Sequence, residues 1–105
     1  MNIDHIRLEI EQIIDGYVSN TPESRALLCS ELSSYLMGLH LQGTELHHFI
    51  VVCDETNNTP ATVENEELHV KVVLAFTSGK VATLKFCVEN IRESVDSFAL
   101  DELQW

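Results

Sequence analysis

Positive charge is what this sequence has least of: six lysines and arginines stand against 17 aspartates and glutamates, a formal net charge of -11. A surface so acidic is repelled by nucleic-acid phosphates and by anionic membranes, so neither is expected as a partner. The excess either keeps the protein soluble or complements a basic partner surface. Glycine is scarce too. Its four copies are dispersed, which excludes a glycine-rich loop for cradling phosphates. No apolar run approaches the roughly 20 residues that cross a bilayer. Residues 1–5 read MNIDH, without the basic start and apolar block of a secretory signal, so synthesis in the cytoplasm is expected.

Metal and redox signatures are missing as well. Cys29, Cys53 and Cys87 form an odd set with no CxxC spacing, and read best as buried reduced thiols acting as small apolar residues. His47 and His48 are adjacent and would point to opposite faces of a strand, while His40 and His69 lie on other segments. None shows the helical i, i+4 pair or the Cys/His knuckle spacing of a zinc site, so no metal and no cofactor is expected. Catalytic machinery is equally hard to find. No serine or cysteine sits in a glycine-rich elbow beside a base, and Glu64, Glu66 and Glu67 fall in a loop, where a solvated cluster is the natural reading. The chain reads as a non-enzyme.

What is present is a foldable pattern. A hydrophobic content of 45% belongs to a globular chain and argues against disorder. At 105 residues it forms a single domain with one core. The spacing predicts an N-terminal helix within residues 1–18, with Ile3, Ile6, Ile10, Ile13, Ile14 and Tyr17 on one stripe. Thr21-Pro22 starts a second helix, within 21–42: the hydroxyl caps and proline suits the first helical position. Leu28, Leu32, Tyr35, Leu36 and Leu39 form its apolar stripe, and Gly43 ends it.

Residues 46–89 read as a small sheet. The first strand, over 46–54, sets Phe49, Val51 and Cys53 against His48, Ile50 and Val52, so both its sides are expected to be partly covered. A polar connection over 55–66 reads as loop. The second strand, over 67–76, turns Leu68, Val70, Val72, Leu74 and Phe76 inward and His69 and Lys71 outward. A Thr77-Ser78-Gly79 turn leads into the third, over 80–89, where Ala82, Leu84, Phe86 and Val88 alternate with Val81, Thr83, Lys85 and Cys87. Residues 90–105 form a C-terminal helix, to about residue 98, or an extended arm. The fold class is α+β: two N-terminal helices packed on a three-stranded, mainly antiparallel sheet.

The run Val52-Cys53-Asp54-Glu55, followed by Asn57-Asn58-Thr59-Pro60, resembles the C-terminal domain of bacteriophage contractile-tail sheath proteins. The order of features agrees: a helix carrying Tyr35-Leu36, a loop with Gly43, a strand into this Cys-Asp-Glu and Asn-Asn-Thr-Pro connection, and two further strands. The likeness spans residues 24–88. It implies a non-enzymatic structural part of a contractile tail or related injection machine, at the sheath or baseplate. Sheath proteins form stacked hexameric rings and link neighbours by strand exchange through terminal arms. The partners so implied are copies of this chain and other tail proteins (sheath, tube or baseplate), and the location is the virion, after synthesis in the host cytoplasm. The outer domains of a full sheath subunit have no counterpart in these residues, which fits a small part such as a sheath initiator. On this reading the contacts fall at Asp54, Asn57, Asn58 and Pro60 in the loop, and at Phe98, Leu100 and Trp105 in the tail. For Asn57 and Asn58 themselves, turn hydrogen bonds to their own backbone are the first expectation. The alternative is a small acidic phage-encoded inhibitor that occupies a basic, nucleic-acid-binding surface of a host protein.

Overall fold

A computed structural model describes residues 2–17 and 19–89. In chain order these form α1 (Ile3–Ile14), α2 (Pro22–Leu41), β1 (Leu46–Val52), α3 (Pro60–Glu64), β2 (Leu68–Phe76) and β3 (Val81–Val88). The expected C-terminal helix or arm, with Phe98, Leu100 and Trp105, lies outside the described residues.

α1 begins where the Asn2 side chain accepts from the Asp4 backbone N–H at 2.9 Å, a standard way to satisfy one of the free amides of a first turn. It stops at Ile14, short of the expected Tyr17. The N–H groups of Gly16 and Tyr17 turn back to Ile13 and Ile14 carbonyls at 3.2 and 2.9 Å, tightening the chain out of the helix. Ile6, Ile10 and Ile14 are buried, with Ile3, Ile13 and Tyr17 packed beside them. The Tyr17 hydroxyl donates to Glu31 of α2 at 2.9 Å. Burial, then this carboxylate, pushes the phenol up to about 12.

α2 opens as expected at Thr21-Pro22. Thr21 Oγ1 accepts from Ser24 N at 3.1 Å while Ser24 Oγ accepts from Thr21 N at 3.0 Å, so serine completes a capping box in which glutamate is the commoner partner. At the other end, Gly43 N–H bonds to His40 O at 3.2 Å and Thr44 N–H to Leu39 O at 3.4 Å. That is the Schellman arrangement, and Gly43 supplies its left-handed residue at φ 77°. Between these caps Leu28, Leu32 and Leu36 are fully buried, each worth roughly 1.5–3 kcal/mol relative to exposure.

The three strands form an antiparallel meander in the order β1-β2-β3. One register line runs Phe49, Leu74, Ala82 and the next but one Val51, Val72, Leu84. Both lines face the helices. Leu46 and Phe49 also share this face although they are an odd number of residues apart. The register shift between Leu46 and His48 makes that possible, because a bulge absorbs one residue and resets the alternation. Leu68, Val70, Val72, Leu74 and Leu84 are buried in the same core as the helical leucines and isoleucines.

Two expectations are corrected here. The connection over 55–66 is not wholly loop: Thr59 caps a short helix, its Oγ1 accepting from Thr62 N at 3.3 Å, with Pro60 in the first turn. The chain leaves α3 through Asn65 and Glu66, the latter at φ 63°. And β1 is not covered on both sides. Among the described residues the helices lie on one face of the sheet, and Ile50 on the other is 50% exposed.

Candidate functional site

The loop after β1 is held from inside. Val52 pairs with Lys71 in the last step of the β1–β2 ladder. Continued in register, Cys53 would meet Val70 and Asp54 would meet His69. Instead the Asn58 side chain takes that place: its Oδ1 accepts from His69 N at 2.9 Å and its Nδ2 donates to His69 O at 2.9 Å. A carboxamide offers the same acceptor and donor as a peptide group, so Asn58 extends the ladder after the strand has turned away. It is only 3% exposed.

This anchor is shared. Asn58 Nδ2 also reaches Asp54 O at 3.2 Å, and Asn20 Nδ2 donates both to Asn58 Oδ1 at 3.0 Å and to Glu67 O at 2.8 Å. Arg25 Nη1 donates to Asn20 Oδ1 at 2.6 Å. Asn57 closes the turn, donating to Val52 O at 2.8 Å and accepting from Asp54 N at 3.0 Å. Asp54 in turn accepts from the Thr56 N–H and hydroxyl, and these two bonds hold its carboxyl below the usual aspartate range.

Of the four loop residues singled out from the sequence, Asn58 is buried, Asn57 half-buried, and Asp54 and Pro60 exposed. Asn57 makes the local turn bonds expected of it, whereas Asn58 reaches across to β2. The outward part of the loop is therefore Asp54, Glu55, Thr56, Thr59 and Pro60. Pro60 and Glu55 border a shallow groove of about 590 Å³ shared with Pro22, Arg25, Val63 and Glu64. Sequence reasoning missed Asn20 and Arg25. The signal was there for Arg25, since it continues the buried stripe of Leu28, Leu32 and Leu36 one turn earlier, and it is only 8% exposed.

The two outer strands differ in how open they are. Among the described residues no strand pairs with the outer side of β1 or of β3. The Cys29 thiol of α2 approaches Val51 O of β1 at 3.8 Å, so that rim is partly overlaid. No hydrogen bond of this kind reaches the β3 rim among the described residues, although Arg7, Glu11 and Ile14 of α1, with Asp15 just after it, share a cavity with Lys85 to Val88.

The cysteines depart from the expectation of three buried thiols. All are free, but only Cys53 is buried, Cys29 is intermediate and Cys87 is exposed. Burial pushes the Cys53 thiol up to about 11. Cys87 sits directly across from His69 in the β2–β3 register, with Sγ 3.7 Å from His69 Nε2, and the same nitrogen is 3.1 Å from Glu67 Oε1. Partial burial, then the charges of Glu67 and Glu89, raises the Cys87 thiol above its ordinary value.

No protein-family model, curated protein or solved structure matches this chain. No helix among the described residues is long and apolar enough to cross a membrane.

Proposed function

We propose that this chain is a non-enzymatic structural component of a contractile phage tail or related injection machine, built into the sheath or baseplate through its strand rims and terminal arm. The observation that supports this most is the meander in which, among the described residues, no strand pairs with the outer side of β3. A row of backbone N–H and C=O groups at a rim accepts an incoming strand without needing particular side chains. The Asn58 anchor complements it. By bonding both backbone groups of His69 where β1 has turned away, it closes that end of the β1–β2 ladder, which directs joining to the rims.

Many weak rim contacts held at high local concentration give a mesh that stays together while its members shift. The charge of -11 opposes non-specific stacking of the same rims. The resemblance of the Val52–Pro60 run to sheath proteins supplies the identity of the machine.

The test is assembly of the full chain, followed by sedimentation velocity over a wide concentration range and by electron microscopy. Rings or higher assemblies are expected, and removing residues 96–105 should abolish them while circular dichroism stays unchanged. A lone protomer at every concentration, and no assembly with sheath, tube or baseplate proteins of a contractile tail, would overturn the proposal. Binding instead to a basic nucleic-acid-binding protein, with steep salt dependence, would favour the inhibitor alternative.

A further inference from the structure

We propose that Glu67, His69 and Cys87 form a binding site for a divalent cation of the zinc class on the open face of the sheet. Their donor atoms lie within 4.8 Å of one another. The backbone dictates this grouping: Glu67 and His69 are two apart on the β2 side and so share a face, and the ladder sets Cys87 opposite His69. The assembly of ligands from two strands is why no spacing rule along the sequence reveals it.

The distances suit a tetrahedral ion. With metal bonds of about 2.0–2.1 Å to nitrogen or oxygen and about 2.3 Å to sulfur, tetrahedral edges come to roughly 3.3 Å for N···O and roughly 3.6 Å for N···S. The corresponding separations are 3.1 Å and 3.7 Å; the third edge, Glu67 to Cys87, lies within 4.8 Å, and a small rotation of the exposed thiol closes it on an ion. A single proton cannot serve this geometry equally well. His69 Nε2 either carries a hydrogen, and donates to Glu67, or offers a lone pair, and accepts from the Cys87 thiol; it cannot do both. A cation in the proton's place takes all three lone pairs together.

Charge and rigidity point the same way. The pairing of Glu67 in this cluster is with His69, and no lysine or arginine makes an ion pair with it among the described residues. Glu89 lies two residues past Cys87, and its charge acts on the thiol, so the neighbourhood favours a positive ion. A thiolate, an imidazole and a carboxylate together select zinc-like ions over magnesium or calcium. The scaffold is fixed beforehand, since both backbone groups of His69 are held by Asn58. Binding would clip β2 to β3 at the end where the chain leaves the sheet. With three ligands from this chain, the remaining position is filled by water or a group from a neighbour.

The experiment is titration of the reduced, metal-free full chain with cobalt(II), then displacement by zinc(II). One equivalent of cobalt is expected to give a thiolate-to-metal charge-transfer band and the visible bands of a tetrahedral ion, both abolished by zinc. Cys87→Ser, His69→Ala and Glu67→Gln should each weaken zinc binding by about 10–100-fold or more, the scale on which even outer-sphere partners act. All three side chains are at least partly exposed, and unchanged circular dichroism will show that the variants fold. His47→Ala with His48→Ala should leave binding as it was. No thiolate band, a band that survives Cys87→Ser, or binding lost only with His47 and His48 would each overturn the site. The outcome is independent of whether the chain assembles into a tail.

Discussion

The two faces of this one sheet obey different rules. On the inner face Leu68, Val70, Val72, Leu74 and Leu84 are buried against α1 and α2 in a continuous hydrocarbon layer. On the outer face the same strands present Ile50 and Val81 to solvent among Lys71, Lys85, His48, His69 and Cys87. Alternation along a strand lets one segment serve both purposes. The inner residues specify the fold, because a slip of one position would turn every one of them outward. The outer residues are under no such constraint and are available for contacts and chemistry.

Substitutions on the two faces test that contrast. The largest effect is expected from Leu74→Ala on the inner face, a loss of about 2–5 kcal/mol in urea unfolding. Ile50→Ala, on the neighbouring strand but facing out, should stay within about 0.5 kcal/mol; comparable losses at the two positions would mean that the outer face is covered too. Next comes Asn58→Ala, which orphans His69 N–H and C=O and should remove about 2–3 kcal/mol. Its amide exchange at His69 should accelerate while that at Val72 does not.

A third difference appears in alkali. The buried Cys53 thiol has its pKa raised from 9.0 to about 11, so between these values the native state holds a proton that the unfolded chain has released. Stability should therefore fall as pH rises through that window, by up to about 1.4 kcal/mol per unit. Cys53→Ala should flatten this part of the profile, whereas Cys87→Ala, at an exposed position, should change it far less. The smallest pair concerns the two threonine caps. Thr21→Ala should cost about 1 kcal/mol. Thr59→Ala should cost less, because α3 has no buried residue to hold in place.

The threonine caps also show what could be read from the sequence. Thr21-Pro22 and Thr59-Pro60 carry the same start signal, and only the first was followed by an apolar stripe long enough to announce a helix. The strand faces were legible for a related reason, since a period of two survives in Leu68 to Leu74 whatever the rest of the chain does. What stayed hidden depends on tertiary partners. Nothing in Asn57-Asn58 distinguishes a side chain that closes its own turn from one that completes a distant ladder. Leu46 joined the core through a bulge, which breaks the very alternation by which faces are assigned. Glu67, His69 and Cys87 become neighbours only once the hairpin register is known. Of the residues expected to make contacts, Asp54 and Pro60 are exposed, while Phe98, Leu100 and Trp105 lie outside the described residues.

One distribution of residues has a practical side. All three lysines of the chain, Lys71, Lys80 and Lys85, fall on the β2–β3 hairpin or its turn, and all are exposed. Apart from the α-amine, amine-directed reagents therefore have a single address on this molecule. A fluorophore ester or a surface-coupling chemistry would orient every copy the same way, helices outward, and a lysine crosslink between two copies would report on hairpin proximity and nothing else.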